Sequence, residues 1–387
     1  MTTCENMPER YRRAPGAAKA FSRRRVLALT LLAGLPFAAR VAAAAAAATA
    51  VSSAPPRLPR DQLLLYRSRS GAVRTARSTR GWEVRRAEIL RGFEAIAGSL
   101  PGRERRCPLE LRILEESDEG SFVRRRITYQ VEPGAWIESY LLVPKAALEG
   151  RRSRGVLCLH QTHAAGKKVV VGLGNSPDDE YGVELVRRGY VCLAPPYPQL
   201  ADYQPDLERL GWVSGTLKAV WDNGRGLDLL ESLPFVRRGG VAAIGHSLGG
   251  HNAIYTAVLD RRIRLVVTSC AFDAFVDYMG GDIRGWVQTR YLPRLKEYLG
   301  RPADIPFDFH ELVGALAPRA FFASAPLGDT NFRWASVDRI AQAARQVYRL
   351  HRAEDRLVVR HPDGLHRFPA EVRQEAYEFM ERHFGPA

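Results

Sequence analysis

The sequence has few cysteines and few lysines. Five cysteines in 387 residues, with no CxxC pair, exclude a disulfide-dense scaffold and a zinc module of the finger type. Only six of the 57 basic residues are lysine, and no aromatic residues alternate with the basic ones. The net charge of +15 therefore does not indicate a nucleic-acid-binding surface, and we predict no nucleic-acid partner. The hydrophobic content of 46% is that of a globular protein.

Residues 1–50 have the layout of an export signal. A basic segment ends in Arg23-Arg24-Arg25, an apolar run follows over 26–35, and an alanine-rich stretch ends in Ala48-Thr49-Ala50. This order is typical of a secretory signal, and the Ser-Arg-Arg-x-Val-Leu pattern resembles a twin-arginine signal. Because the apolar run is shorter than a membrane span of about 20 residues, we predict a cleaved signal, an exported protein and no stable membrane anchor. An uncleaved anchor or a cytosolic tail is the alternative.

The chain after the signal is predicted to consist of a linker with an N-terminal helical extension over 51–105 and one large domain over 106–387. Apolar residues at helical spacing predict a helix over 81–98. Three short runs over 109–143 alternate apolar and polar residues and are separated by turn residues. They predict antiparallel strands at the edge of a sheet.

From residue 155 onward, apolar strands alternate with helices. Predicted strands cover 155–159, 190–194, 241–244, 265–269, 320–323 and 356–359, and predicted helices cover 179–188, 216–232, 248–259, 336–350 and 370–384. Strands separated by helices need crossover connections, which predict a mostly parallel α/β sheet with helices on both faces. Cys158, Cys192 and Cys270 lie in the apolar runs and are predicted to be buried free thiols.

The sharpest motif is Gly245-His246-Ser247-Leu248-Gly249, a GxSxG sequence between a predicted strand and a predicted helix. In such a turn the serine hydroxyl is lifted above the sheet edge. The residues two before and two after it must be small, because neighbouring backbone crowds the turn. A serine hydroxyl is a poor nucleophile that needs a base, and the base needs an orienting acid. Ser247 is therefore the candidate nucleophile.

The candidate base and acid follow the last predicted strands. His366 lies in the loop before the final helix and is the predicted base, with His361 as the alternative. Asp329 follows the preceding strand and is the predicted acid, with Asp273 as the second candidate. Either acid gives the chain order serine, acid, histidine that this architecture requires.

Acyl transfer also needs hydrogen-bond donors for the developing oxyanion. The candidates are the backbone N–H of Leu248, which follows the nucleophile, and that of Gln161, in the loop after strand 155–159. Thr162 is the alternative to Gln161.

Three histidines near these loops are candidate zinc ligands. His160 and His163 have HxxH spacing, and His246 lies within the serine motif. A carboxylate ligand and an HExxH sequence are both missing, and loop packing accounts for the histidines. We predict no metal.

An aromatic-rich insert over 272–310 is the candidate specificity region. Trp286 and Tyr291 are the residues predicted to line a substrate pocket. Arg284 or Arg290 could hold an acidic group of a substrate.

Together these segments resemble α/β-hydrolases of the dienelactone-hydrolase-like and acetyl-xylan-esterase-like branch. The similar segments are His160-Gln161-Thr162, Arg188-Gly189-Tyr190-Val191, Ala194-Pro195-Pro196-Tyr197, 245–250 and 364–368, within about residues 110–385. The resemblance implies an α/β-hydrolase catalytic domain over 106–387, with antiparallel N-terminal strands, a small lid-like insert after the sixth strand and no cofactor. Dienelactone hydrolases proper use a cysteine nucleophile where this chain has Ser247, so their substrate does not carry over.

The leading hypothesis is an exported serine esterase that forms an acyl-enzyme from a small-molecule or carbohydrate ester. A peptidase of the prolyl-oligopeptidase type is a second hypothesis. The segment before the predicted catalytic domain is too short for a propeller, which counts against this hypothesis. A non-catalytic binding protein of the same fold is a third. Such proteins usually lose a member of the triad, whereas this chain has a candidate for each. The sequence makes no prediction of oligomeric state.

Overall fold

The computed structural model describes residues 57–385 and residue 387, so the predicted export signal lies outside the described residues. The N-terminal elements are β1 (Leu65–Arg67), β2 (Val73–Thr75), α1 (Thr79–Ala97), β3 (Arg112–Asp118), β4 (Phe122–Glu132), β5 (Ala135–Pro144) and α2 (Lys145–Leu148). Strands β1 and β2 form a separate antiparallel hairpin. The sequence did not predict this hairpin, because two strands of three residues are too short to show an alternating pattern.

Strands and helices alternate in the rest of the chain. The elements are β6 (Ser153–Leu159), α3 (Tyr181–Arg187), β7 (Val191–Ala194), α4 (Gly215–Ser232), β8 (Val236–His246), α5 (Leu248–Leu259), β9 (Ile263–Ser269), α6 (Phe309–Leu316), β10 (Ala320–Ser324), α7 (Trp334–Leu350), β11 (Leu357–Arg360) and α8 (Ala370–Phe384).

Nine strands form one sheet in the order β11-β10-β9-β8-β6-β7-β5-β4-β3. The strands from β11 to β7 run parallel, and β5, β4 and β3 add antiparallel strands at one edge. This arrangement confirms the predicted mostly parallel sheet with antiparallel N-terminal strands. Because the carboxyl ends of the parallel strands lie at one edge, the loops that follow β6, β8, β9, β10 and β11 meet there.

Both faces of the parallel strands are covered, which explains their unbroken apolar sequence. In β6, Leu157 and Leu159 face a core cluster that includes α1, α4, α5, α6 and α7. Val156 and Cys158 point to the opposite face, into a cluster that includes α3 and α8. The prediction of helices on both faces is confirmed.

The N-terminal extension packs against the body of the molecule. Trp82 and Phe93 of α1 are fully buried. Arg85 of α1 forms a buried ion pair with Glu311 of α6 at 2.6 Å, and Arg57 bonds the same carboxylate. Residues 57–387 belong to one compact unit. In the described part of the chain, no helix has the length and apolarity that a membrane span requires.

The insert over 272–310 consists of short helical turns that lead into α6. Its 3-10 turns are Tyr278–Gly280, Ile283–Trp286, Pro293–Tyr298 and Pro302–Asp304. Aromatic side chains hold it together: the ring of Phe275 meets Trp286 and Phe307 edge-on, at centroid distances of 5.7 and 5.5 Å. The insert therefore presents Trp286 from a packed aromatic cluster rather than from a loose loop.

Candidate active site

Ser247 lies in the turn between β8 and α5 with φ of 50° and ψ of −119°, a conformation that non-glycine residues rarely adopt. Its N–H donates to the carbonyl of Ser269 at 2.8 Å. A Cβ on Gly249 would lie 1.8 Å from the carbonyl oxygen of Leu159, and one on Gly245 would lie 2.2 Å from the carbonyl carbon of Gly249. Only glycine fits both places, so the motif's glycines are required by backbone packing.

The side chains of Ser247, His366 and Asp329 form a continuous hydrogen-bonded chain. Nε2 of His366 lies 3.0 Å from Oγ of Ser247, and Nδ1 lies 3.0 and 3.1 Å from the two carboxylate oxygens of Asp329. Oδ1 of Asp329 also accepts from the N–H groups of Asn331 and Phe332, at 2.8 and 3.2 Å. Burial acts to raise the pKa of Asp329, but these hydrogen bonds outweigh it and hold the pKa below its ordinary value. The ionised carboxylate favours a proton on Nδ1, which leaves Nε2 to accept from the serine hydroxyl.

The alternative base and acid lie elsewhere. Nδ1 of His361 bonds the carbonyl of Ala325 at 2.8 Å, and Nε2 bonds Asp338 at 2.9 Å. Asp273 is buried and accepts from the N–H of Arg333 at 3.2 Å, and burial raises its pKa to about 8. Within the described residues, neither side chain hydrogen-bonds to the serine or to the imidazole of the chain above.

The two predicted oxyanion donors lie on different elements, one directly after the serine and one in the loop after β6. Leu248 is the first residue of α5, where an N–H has no partner within the helix. Gln161 and Thr162 follow β6, whose end abuts the serine turn. Gln161 lines a cavity of about 430 Å³ beside His366, whereas Thr162 lines the cavity that contains Ser247.

The three histidines considered as zinc ligands each have a local partner. Nδ1 of His160 bonds the carbonyl of Gln161 at 2.8 Å, Nδ1 of His246 lies 3.2 Å from Oγ of Ser269, and Nδ1 of His163 accepts from a backbone N–H at 3.0 Å. Burial lowers the pKa of His160 to about 4 and that of His246 to about 3.

A different group of potential metal ligands lies beside the serine. In the described part of the chain, the potential ligand atoms of Cys270, Asp329 and His366 lie within 4.8 Å of one another. Asp329 and His366 already bond each other, and the Cys270 thiol lies 3.3 Å from the carbonyl of Arg367. Burial raises the pKa of this thiol, which favours its protonated form over the thiolate that binds metals.

A cavity of about 370 Å³ opens at Ser247. Its wall consists of Thr162, Ser247, Leu248, His251, Tyr278, Gly285, Trp286, Tyr291, Asn331, Phe332 and His366. The candidate residues Trp286 and Tyr291 both lie in this wall, and the Tyr291 hydroxyl lies 3.2 Å from Oγ1 of Thr162. His251 also lies in this wall and was not predicted from the sequence. Its place four residues after Ser247, one turn along a helix, was the signal that it faces the same cavity.

Comparisons with known proteins agree with this architecture. No family model matches the chain. A protein of Bacillus subtilis (strain 168) named "Putative hydrolase YtaP" is 26% identical over 312 residues, which cover 77% of this chain and 99% of that protein. A glucuronoyl esterase from Solibacter usitatus superposes with a TM-score of 0.65 at 18% identity and covers 85% of this chain and 99% of its own.

A "putative acetyl xylan esterase" from Bacteroides fragilis NCTC 9343 superposes with a TM-score of 0.58 at 17% identity, and covers 78% of this chain and 88% of its own. At such low identity, these structures show a shared fold and do not by themselves show a shared activity. Together with the sheet order and the strained serine between β8 and α5, they show that the chain has the α/β-hydrolase fold.

Proposed function

We propose that this protein hydrolyses carboxylic esters through a covalent acyl-enzyme, with Ser247 as nucleophile, His366 as base and Asp329 as orienting acid. The observation that carries the proposal is the hydrogen-bonded chain from Ser247 through His366 to an ionised Asp329. The strained turn supports it, because it places Ser247 in the wall of a cavity of about 370 Å³.

In the first half of the reaction, Oγ of Ser247 attacks the ester carbonyl while Nε2 of His366 takes the hydroxyl proton. The N–H groups of Leu248 and Gln161 stabilise the oxyanion of the tetrahedral intermediate. His366 then donates its proton to the leaving alcohol, and an acyl-serine remains. Water, deprotonated by the same imidazole, releases the acid and regenerates the serine. Asp329 stabilises the imidazolium at each stage.

We propose a carbohydrate ester as the substrate class. The fold neighbours are named as glucuronoyl and acetyl xylan esterases. The aromatic wall formed by Trp286 and Tyr291 supports this class, since large flat side chains provide contact area for a ring at little cost in conformational entropy.

The nucleophile is tested with a fluorophosphonate probe and with p-nitrophenyl acetate. Wild type should be labelled at Ser247, and Ser247→Ala should lose the label and at least about 10⁴-fold in kcat. Ser232→Ala, at the end of α4 and outside the cavity, is the matched control and should keep both. Full hydrolysis by Ser247→Ala would move the chemistry to another site.

The base is tested with a pair of histidine variants. His366→Ala should lose turnover to a similar extent as Ser247→Ala, because residues that act as one unit are not additive. Among the described residues, His361→Ala removes hydrogen bonds to Ala325 and Asp338 and a ring contact with Trp334. It should therefore retain wild-type kcat within about threefold. The opposite ranking would transfer the base assignment to His361.

The two other function classes give different results in these assays. A folded wild type that neither reacts with the probe nor hydrolyses any ester would indicate a binding protein. A wild type that cleaves peptide amides faster than esters would indicate a peptidase. The site geometry does not favour either one over an esterase.

We propose further that residues 1–50 direct export of the protein by the twin-arginine route. The support is the sequence pattern of Arg23-Arg24 followed by an apolar run and Ala48-Thr49-Ala50. N-terminal sequencing of the exported protein should begin at or near Val51, and Arg23→Lys with Arg24→Lys should block export. Export of the double variant at wild-type level would overturn the route.

A further inference from the structure

Two buried polar atoms in the wall of the Ser247 cavity have no hydrogen-bond partner among the described residues. They are Nε2 of His251 and Nε1 of Trp286, in residues that are 5% and 4% exposed. Buried polar atoms of folded proteins are nearly always bonded, since an unbonded one has lost its water and gained nothing. Both atoms are covered from solvent in this structure, so a ligand bonds them only where the side chains that cover them move aside. Two such atoms in residues that line one cavity, outside the serine, imidazole and carboxylate chain, make this wall the candidate site for a polar group of a ligand.

The two atoms have opposite hydrogen-bonding character. Nδ1 of His251 lies 3.2 Å from the carbonyl of Ala271, which can only accept, so Nδ1 carries the proton. Burial lowers the pKa of His251 to about 3, so the ring is neutral near pH 7 and its Nε2 is an acceptor. The indole N–H of Trp286 can only donate.

The two rings lie side by side, with centroids 4.9 Å apart and planes inclined by 56°. One acceptor and one donor on adjacent rings match a hydroxyl group, which donates and accepts at once. A carboxylate would place negative charge against the Nε2 lone pair, and an ammonium group would face the indole N–H. Neither ion suits the pair.

The charge of the wall agrees with a neutral ligand group. Among the described residues that form this cavity, none is Lys, Arg, Asp or Glu. Arg284, considered from the sequence as a partner for an acidic group, bonds Asp282 instead. The guanidinium of Arg290 lies over the Tyr291 ring, 5.4 Å from its centroid, and bonds Gln288.

We propose that His251 and Trp286 form a subsite that binds one hydroxyl group of the ester substrate. The hydroxyl donates to Nε2 of His251 and accepts from Nε1 of Trp286. This inference rests on the proposed ester hydrolysis at Ser247 and specifies its substrate: a neutral, hydroxylated ring placed near the scissile carbonyl. The subsite selects among substrates and takes no part in the proton transfers.

The test compares ester pairs whose members both have a six-membered ring with one ring oxygen, with and without hydroxyl groups on it. The acyl-side pair is the methyl ester of a hexuronic acid and methyl tetrahydropyran-2-carboxylate. The alcohol-side pair is an acetylated methyl pyranoside and tetrahydropyran-3-yl acetate. In one of the two pairs, wild type should prefer the hydroxylated member by at least about tenfold in kcat/KM, and that pair shows which side of the ester enters the subsite.

Trp286→Phe and His251→Phe remove the donor and the acceptor while keeping an aromatic ring. Each should reduce the hydroxyl preference about tenfold, mainly through KM. The preference is a ratio between two esters, so a general change in the turnover of p-nitrophenyl acetate does not enter it. Ser232→Ala, outside the cavity, is the control and should keep both the preference and this turnover within about threefold of wild type. Melting temperatures identify any variant that misfolds, and the other variant then decides.

Failure of this inference can be distinguished from failure of the proposed function. Wild-type hydrolysis of p-nitrophenyl acetate with no preference in either pair, or preferences unchanged in the variants, would overturn the subsite alone. If wild type hydrolyses no ester, calorimetric binding of the hexuronate methyl ester to Ser247→Ala replaces kinetics. Binding that Trp286→Phe weakens about tenfold would support the subsite, and no binding, or equal binding, would overturn it.

Discussion

Asp329 and Asp273 follow neighbouring strands, and their environments favour different charge states at neutral pH. The carboxylate of Asp329 has three donors, from one imidazole and two backbone amides, which hold its pKa below the ordinary value despite burial. Asp273 has one donor, the N–H of Arg333, and burial raises its pKa to about 8. A carboxyl group that is protonated at neutral pH cannot stabilise an imidazolium, so only Asp329 suits that task.

We therefore expect Asp329→Asn to lower kcat by about 10³–10⁴ with little change in KM, because an amide stabilises neither the correct tautomer nor the imidazolium. Asp273→Asn replaces a largely protonated carboxyl by a neutral amide of the same shape and should keep kcat within about threefold of wild type. Steady-state kinetics on p-nitrophenyl acetate at pH 7 compare the two. If Asp329→Asn were nearly wild type and Asp273→Asn inactive, Asp273 would be the acid.

At the scale of elements, the contact between β6 and α5 determines where the serine lies. Gly249→Ala would bring a methyl group to 1.8 Å from the Leu159 carbonyl, so β6 or α5 must move. We expect a lower melting temperature and loss of most of the activity, since the hydroxyl would leave the reach of His366.

Gly224→Ala in α4 is the matched control. The nearest atom to its new Cβ would be a carboxylate oxygen of Asp260 at 4.0 Å, so the methyl group has room. This variant should keep full activity and gain up to about 1 kcal/mol of stability from helix propensity. Wild-type activity in Gly249→Ala would contradict this account, because it would show that the turn has room for a methyl group beside the Leu159 carbonyl.

A second contact between elements is the buried charge cluster at the N-terminal end of α4. Nζ of Lys218 lies 2.9 Å from Glu132 at the end of β4 and 2.6 Å from Asp222. Lys218→Met removes the cation that lies between the two carboxylates. Asp222 then has no ion-pair partner among the described residues, and Glu132 keeps Arg105 at 2.6 Å, so the variant should cost about 3–5 kcal/mol in the free energy of unfolding. Arg349→Ala, which breaks an exposed pair with Glu354, should leave urea unfolding unchanged. Equal effects of the two variants would contradict this account of the cluster.

For the whole molecule, buried neutral histidines make stability depend on pH. Burial lowers the pKa of His160, His246 and His251 to about 4, 3 and 3. The unfolded chain protonates them below about pH 6.5 and the folded chain does not, so acid favours unfolding. As the pH falls from about 6.5 to 4, each histidine lowers the free energy of unfolding by up to about 1.4 kcal/mol per pH unit. Asp273 acts in the opposite direction, because its pKa of about 8 keeps the carboxyl protonated in the folded state while the unfolded chain ionises it. In this pH range it offsets the effect of about one of the three histidines.

The contribution of one histidine can be isolated with His251→Phe. The variant's unfolded state no longer takes up that proton, so its loss of stability between pH 7 and pH 5.5 should be smaller than that of wild type by about 1 kcal/mol. Urea unfolding at the two pH values measures both proteins. An identical loss would mean that His251 is protonated in the fold, which would also remove the acceptor proposed for the hydroxyl subsite.

The sequence alone was enough to predict the alternation of strands and helices, because apolar periodicity is a local property. It also predicted the strained turn at Ser247, since Gly245 and Gly249 lie where neighbouring backbone leaves no room for a Cβ. The sequence did not predict the β1–β2 hairpin, because strands of three residues are too short to show an alternating apolar pattern. The catalytic roles of Ser247, His366 and Asp329, together with the export signal, remain predictions.

Which polar groups meet depends on how distant segments of the chain pack in three dimensions. The parallel register of β10 with β11, Ala323 opposite Val359, brings the loops after both strands to one edge, where Asp329 reaches His366 and Asp273 does not. The pairing of His251 with Trp286 likewise joins a helix and an insert that are distant in sequence. Hydrogen bonds act over about 3 Å, and the distances between remote segments follow from strand register and packing, which local sequence patterns do not encode.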